Sequence, residues 1–411
     1  MSRPIYMDSH ATTRVDSRVV KAMLPFFGED FGNASSKTHA FGWRAEEAVA
    51  RARVQVARAI GAGPKEIVFT SGATESDNLA LFGALAGLRG KRDHLITGAT
   101  EHPAVLDAAR FLEDGGLRVT RLPVDRYGRI DPDDLRRAIT DRTALVSLMF
   151  ANNEVGTLHP IREIGAICKE RGILFHTDAA QAAGKVPVEV EEMGIDLLSI
   201  SAHKVYGPKG VGALYVRRRS PRVILEPMLR GGGQERGLRP GTLNVPGIVG
   251  LGVALEIACA GMAEESRRMA ALRDRLQAGI LGRLDQVTVN GHPTDRLPHN
   301  LNLSFAHVEG ESLVMALDDV AVSSGAACSS DRREPSHVLR AMGLGDDAAQ
   351  TSIRFGLGRF NTEQEVDYVV ARVADAVARL REISPLYGNP RGGAPAPSSR
   401  VGRETGRSMV R

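Results

Sequence analysis

From about residue 16 to residue 250, short apolar runs alternate with stretches of helical periodicity. KEIVFTSG is followed by ESDNLALFGALAGL, then by DHLITGA, then by HPAVLDAARFLEDGG. Apolar runs closed by glycine or small polar residues predict buried strands, and the amphipathic stretches between them predict helices. DPDDLRRAIT shows the local logic: Asp131 can cap, Pro132 suits the first helical position, and apolar residues follow at helical spacing. TALVSLMFAN, ILFHTDAA and IDLLSISAHK read as further strands, with IREIGAICKERG as a helix. The alternation predicts an α/β fold with a mainly parallel sheet covered by helices on both faces. Ligands in such folds gather at the carboxyl ends of the strands.

The rhythm changes near residue 250. A long helical stretch from Ile248 to about Leu284 leads into LNLSFAH, ESLVMALDD, VAVSSG and finally TEQEVDYVVARVADAVARLREI, which predicts a smaller α/β domain. The expected division is a large domain over 16–249, a small domain made of 1–15 with 250–384, and a disordered tail over 385–411. The N-terminal dozen residues are too few to fold alone and are expected to pack on the small domain. The tail, PLYGNPRGGAPAPSSRVGRETGRSMVR, has almost nothing to bury.

Charge narrows the partners. The net charge is +4, and residues 385–411 hold five arginines against Glu404 alone, so the tail accounts for all of it. A balanced body argues against a large phosphate-binding face, so no direct nucleic-acid contact is expected. Three cysteines in 411 residues argue against a disulfide framework. The start, MSRPIYMDSHATTRV, lacks the apolar run of a secretory signal, and no later stretch reads as long and apolar enough to span a bilayer. The expectation is a cytoplasmic protein with no membrane association.

Three strand ends carry polar groups where the sheet should be buried. In TSGATESDN, Gly72, Ala73 and Thr74 lead from a strand into a helix, a place where backbone N–H groups can meet an anion or simply form a turn. In FHTDAAQ, Asp178 either caps the following segment or faces a pyridine nitrogen, which a carboxylate would keep protonated. In SISAHKVYGPKG, Lys204 follows a buried run, where an amine either snorkels to solvent or is paired, neutral or covalently used. Ser201 and His203 beside it can donate to a phosphate. Taken together the three supply an anion nest, a carboxylate and an amine on one sheet.

The motifs SGATESDN, TEHPAVLD, NNEVGT, HTDAAQAAGK, SAHKVYGPKG, GGGQERGLRPGT and SSGAACSS occur in this order. In them the chain resembles the cysteine desulfurases of the class V aminotransferase group, of the iron–sulfur assembly and nitrogenase maturation type, over roughly residues 4 to 384. The resemblance implies a homodimer of pyridoxal phosphate fold type I. It implies that Lys204 binds pyridoxal 5'-phosphate covalently, that Asp178 faces its ring nitrogen and that His102 stacks on the ring. Gln181 and Asn153 would contact the phenolic oxygen or the substrate side. Ala73, Thr74, Ser201 and His203 would hold the phosphate, with Thr242 contributed from the neighbouring subunit. Arg354 in SIRFGLGRF would bind the carboxylate of L-cysteine, assisted by Asn33 and Asn153. A planar guanidinium suits that task because it can donate two parallel hydrogen bonds.

Cys168 and Cys259 occupy apolar positions of helical patterns and read as buried thiols. Cys328 lies in SSGAACSSDRREPS, a small polar stretch without strand or helix period, which predicts an accessible loop. The resemblance makes Cys328 the acceptor of the substrate's sulfur as a persulfide, with alanine released and the sulfur passed to acceptor proteins such as an iron–sulfur scaffold. It also allows Cys328 to act as a transient cluster ligand shared with that scaffold. The alternative is a selenocysteine lyase or a related class V aminotransferase, which would share the cofactor site without requiring Cys328. Two departures stand out. Ala202 replaces a glycine common in housekeeping members, and residues 385–411 do not resemble the segment by which those members grip their scaffold.

Overall fold

The computed structural model describes residues 4–87, 92–219, 222–324 and 335–384. Cys328 and the tail over 385–411, both named in the sequence reading, lie outside the described residues. After β1 (Ile5–Tyr6) come the strands of the large sheet: β2 (Ile67–Thr70), β3 (His94–Gly98), β4 (Arg118–Leu122), β5 (Thr143–Ser147), β6 (Leu174–Asp178), β7 (Leu197–Ser201) and β8 (Gly212–Val216). Their spatial order is β2-β8-β7-β6-β5-β3-β4. Only β8 runs against its neighbours, so the sheet is mainly parallel, as the alternating pattern predicts.

Helices cover both faces, which is why β2, β5, β7 and β8 are buried along their whole length. Residues of α3 (Ala73–Gly87) and α4 (Pro103–Asp114) pack with Leu95, Leu145 and Leu214 on one face. On the other, residues of α1 (Ser17–Met23), α2 (Ala40–Ala59), α5 (Pro132–Ala138) and α6 (Ile161–Glu170) pack with Phe69, Val146 and Phe175. The start of α5 is as read: Asp131 accepts a hydrogen bond from the Asp133 N–H at 2.9 Å, and Pro132 is the first helical residue.

The helix α7 (Val245–Leu281) belongs to two cores at once. Val245 to Ala258 pack under the large sheet, while Met269, Leu272, Leu276 and Ile280 pack with a second sheet. That sheet has the order β12-β13-β10-β9, built from β9 (Val287–Asn290), β10 (Asn300–Phe305), β12 (Ser323–Ser324) and β13 (Ser352–Gly356), all antiparallel. The remaining strand, β11 (Val320–Ala321), pairs in parallel with β1 of the N-terminal segment. The helices α8 (Gly310–Ala316), α9 (His337–Ala341), α10 (Asp346–Gln350) and α11 (Glu363–Ile383) complete the element order. At the head of α11, Thr362 and Glu365 form a reciprocal capping box that fixes the helix start.

Two sequence expectations need correction. α7 is, by length and composition, apolar enough to cross a bilayer, contrary to the reading that no stretch is. Its apolar surface serves the two protein cores instead, and 56% of its most apolar window is buried. Cys168 is buried in α6, where desolvation pushes its thiol pKa up, but Cys259 is only half-buried.

Candidate active site

A cavity of about 780 Å³ opens at the carboxyl ends of the parallel strands. β6 ends on Asp178, β7 runs into a tight turn over Ala202–Lys204, and the turn after β3 carries His102 at the head of α4. Asp178, Lys204 and His102 all line this cavity. The ammonium of Lys204 donates to the backbone carbonyl of Ala11 at 3.0 Å and to that of His10. Asp178 also plays the capping role, accepting from the Ala180 N–H at 2.8 Å. His102 caps α4 through Nδ1, which accepts from the Ala104 N–H at 3.1 Å. The neutral ring therefore carries its hydrogen on Nε2. Burial pushes the His102 pKa down, against the pull of Asp178.

Behind Asp178 lies a buried polar layer. His176, wholly enclosed on β6, bonds Ser147 Oγ through Nδ1 at 2.8 Å and Ser199 Oγ through Nε2 at 3.1 Å. Asp77 of α3 stands 3.6 Å from His176 Nε2. Glu101 accepts from the Met149 N–H at 2.9 Å. Burial lowers His176 to about 3 and raises Asp77, Glu101 and Asp178, the last moderated by the hydrogen bond from the Ala180 N–H and by the charge of Lys204. Of these three carboxyls, Asp178 is the one that lines the cavity, where a cation can meet it.

At the opposite end, Gly72, with φ +158°, leads into Ala73 and Thr74 at the N-terminus of α3. A Cβ at Gly212 of β8 would sit 2.7 Å from the Gly72 Cα, so this turn can approach the sheet only because position 212 is glycine. Ser201 and His203 line the same end. Burial and the nearby charges of Lys204 and Lys209 lower His203 to about 4, and its Nδ1 pairs with Thr12 Oγ1 at 3.2 Å. An anion cradle at a helix N-terminus, a buried carboxylate facing the cavity and a lysine between them match the phosphate, ring nitrogen and aldehyde of pyridoxal phosphate. The residues present fit that cofactor.

Across the cavity, Arg354 of β13 is almost wholly buried. Its Nη1 donates to the Asn153 carbonyl at 3.0 Å, and its Nη2 donates to Asp8 Oδ1 at 2.9 Å and to Ser323 Oγ at 3.2 Å. Gln181 Nε2 donates to the His10 carbonyl at 3.1 Å. Of the residues named from sequence, Ala73, Thr74, His102, Asn153, Asp178, Gln181, Ser201, His203, Lys204 and Arg354 share this cavity. Asn33 and Thr242 do not line it. Both are exposed, and Asn33 Oδ1 accepts from the Ser35 N–H.

Sequence reading missed Asp8, His10, Thr12, Met149, Lys209 and Ser323, all of which line the cavity. The polar run DSHATT, placed directly after an apolar start, was the available signal for the first three. Among the described residues no cluster of three His, Cys, Asp or Glu side chains is arranged to hold a metal ion.

Residues 5–369 match the family described as Aminotransferase class-V. A relative named cysteine desulfurase IscS, from Anaeromyxobacter sp. (strain Fw109-5), is 62% identical over 387 residues, covering 94% of this chain and 96% of the relative. A second of that name, from Rickettsia felis (strain ATCC VR-1525 / URRWXCal2), is 55% identical, with 93% of each chain covered. Among solved structures, a NifS-like protein superposes with a TM-score of 0.85 at 39% identity, covering 92% of this chain and all of that one. The chain belongs to the class-V aminotransferase family, pyridoxal phosphate-dependent enzymes of fold type I.

Proposed function

We propose that this chain is a cysteine desulfurase that converts L-cysteine to L-alanine and supplies the sulfur for iron–sulfur cluster assembly. The observation that carries the reading is the convergence of Lys204, Asp178, His102 and the Gly72–Thr74 cradle with Arg354 on one cavity. High identity to relatives named cysteine desulfurase supports the substrate.

Bound pyridoxal phosphate supplies an electron sink for the α-carbon of the amino acid. Asp178 holds a proton on the ring nitrogen, and Lys204, its amine steadied by backbone carbonyls, carries the cofactor and moves the proton at the substrate α-carbon. Thr74, Ser201 and His203 hold the phosphate. His102, its Nδ1 committed to the Ala104 N–H, presents its ring and the Nε2–H to the cavity. Arg354 binds the substrate carboxylate, with Asn153 and Gln181 beside it. The thiolate of Cys328 attacks the substrate sulfur: the carbon–sulfur bond breaks, a sulfur–sulfur bond forms, and alanine departs with a proton in place of the thiol.

We further propose a cytoplasmic homodimer in which Thr242 reaches the partner's phosphate site. Phe27, Phe31, Phe41 and Trp43, all exposed on the single chain, supply apolar surface for such an interface. The domain division expected from sequence, 16–249 against 1–15 with 250–384, stays our proposal, with α7 as the shared strut. The test of function follows alanine and sulfide from L-cysteine in wild type and Cys328→Ser, with a dithiol reductant present to release the persulfide's outer sulfur as sulfide. The account expects both products in wild type and loss of sulfide release in the variant, with the cofactor retained. Normal desulfuration by Cys328→Ser would remove the acceptor role.

A further inference from the structure

The guanidinium of Arg354 has five N–H donors, and their partners decide how a carboxylate can reach it. A carboxylate binds a guanidinium with two parallel hydrogen bonds either on the Nη1/Nη2 edge or on the edge shared by Nε and one Nη. Nη2 donates to Asp8 Oδ1 at 2.9 Å and to Ser323 Oγ at 3.2 Å, so it already has two acceptors for its two hydrogens. Nη1 has given one hydrogen to the Asn153 carbonyl at 3.0 Å. Nε is buried and has no hydrogen-bond partner among the described residues. Two hydrogens are therefore uncommitted, one on Nη1 and the buried one on Nε; on either edge the second parallel bond must come from Nη2, so Asp8 or Ser323 has to yield.

Asp8 is held where it can yield. Its backbone is bridged in parallel to Gly356, two residues beyond Arg354 on β13, while its carboxyl reaches into the cavity and stays 17% exposed. Ser323 is fixed more firmly, because β12 pairs its backbone directly opposite Arg354. Asp8 also carries the charge that repels a second carboxylate, whereas Ser323 is neutral.

We propose that Asp8 is an internal competitor for the substrate carboxylate: it holds Arg354 in place and is displaced from it when the amino acid binds. The proposal rests on the reading of Arg354 as the carboxylate site and names the group that sets its affinity. Asp8 thereby tunes substrate binding without touching the reacting atoms.

The test is binding of L-alanine, which has the substrate's carboxylate and amine but no sulfur, to holoenzyme by calorimetry. Ethylamine, which lacks the carboxylate, serves as control ligand. Asp8→Asn is expected to tighten alanine binding by roughly fivefold, the scale of one partly exposed ion pair, and to leave ethylamine unchanged. Asp8→Ser gives the same prediction, and Asp8→Glu, which keeps the charge, is expected to show no tightening. Unchanged or weaker alanine binding in both neutral variants would overturn the proposal, as would failure of both to fold. Equal tightening of ethylamine would overturn it too. Arg354→Lys tests the underlying reading separately: if alanine binding survives that change, the carboxylate site lies elsewhere, whatever Asp8 does.

Discussion

His10 stacks on His299 with ring centroids 4.4 Å apart and planes 23° from parallel. Both rings are wholly enclosed, and burial holds both well below the usual histidine pKa. His10 Nε2 accepts from Asn300 Nδ2 at 3.1 Å, so its Nδ1–H donates to Gln181 Oε1, also at 3.1 Å. The carbonyl of His10 in turn accepts from Gln181 and from Lys204. One neutral histidine from the N-terminal segment thus ties the large sheet to the small one beside Lys204.

The first prediction concerns that tie. His10→Leu leaves Gln181 Oε1 buried without a partner, at a cost of about 1–3 kcal/mol, and takes from Asn300 Nδ2 one of its two acceptors, the Glu154 carbonyl remaining. Urea unfolding is expected to show a lower midpoint, and purified protein is expected to retain less cofactor. Wild-type stability with full cofactor content would count against the tie.

A second prediction follows from His176. Its folded pKa, about 3, lies below the ordinary 6.5, because burial disfavours the charged ring. Below pH 6.5 the unfolded chain binds a proton that the folded ring refuses. The stabilising contribution is therefore complete above 6.5 and is lost as the pH falls toward the folded value. His159 and His203, each lowered to about 4, act in the same direction. His176→Asn is expected to flatten the fall in melting temperature between pH 6.5 and about 4. Parallel profiles would show that His176 is not responsible.

Asp77 gives a prediction of opposite slope. Burial and the nearby Asp178 raise its folded pKa well above 3.8, so the folded chain keeps a proton that the unfolded chain releases. Its contribution is greatest at low pH and declines as the pH climbs from 3.8 toward the folded value. Asp77→Asn removes that decline. The stability difference in denaturant unfolding, variant minus wild type, is expected to grow as the pH rises above 3.8, by up to about 1.4 kcal/mol per pH unit. A constant difference would mean that Asp77 ionises normally in the fold.

Glu235 anchors the glycine-rich loop that carries Thr242. Its carboxylate is buried, accepts from Arg53 Nη1 at 2.7 Å and from the Phe69 N–H at 2.9 Å, and its backbone takes φ +47°. Glu235→Ala strands the Arg53 guanidinium, itself mostly enclosed, and is expected to cost about 3–5 kcal/mol in denaturant unfolding. A loss below about 1 kcal/mol would place the pair among surface ion pairs.

The large sheet was legible because its strands are apolar on both faces and end in short polar motifs. Asp178 and Lys204 stand out at those ends, each with a plain alternative open when taken singly, and His102 is marked only through the family resemblance. DSHATT marks Asp8 and His10 as polar positions after β1, but their place in the cavity, like that of Ser323, comes from pairings distant in sequence: Asp8 with Gly356, Tyr6 with Ala321, and Ser323 with Arg354. No local period records such partners. The double role of α7 was hidden for a related reason: its first half is apolar nearly all round, so periodicity alone marks burial but not in which core.

The central claim is that the Lys204 amine carries pyridoxal phosphate opposite Asp178. Borohydride reduction of freshly isolated protein, followed by peptide mapping, tests it directly. The account predicts the reduced cofactor's mass on the peptide containing Lys204. Recovery of that peptide unmodified, from protein that shows the cofactor's visible absorbance, would contradict it.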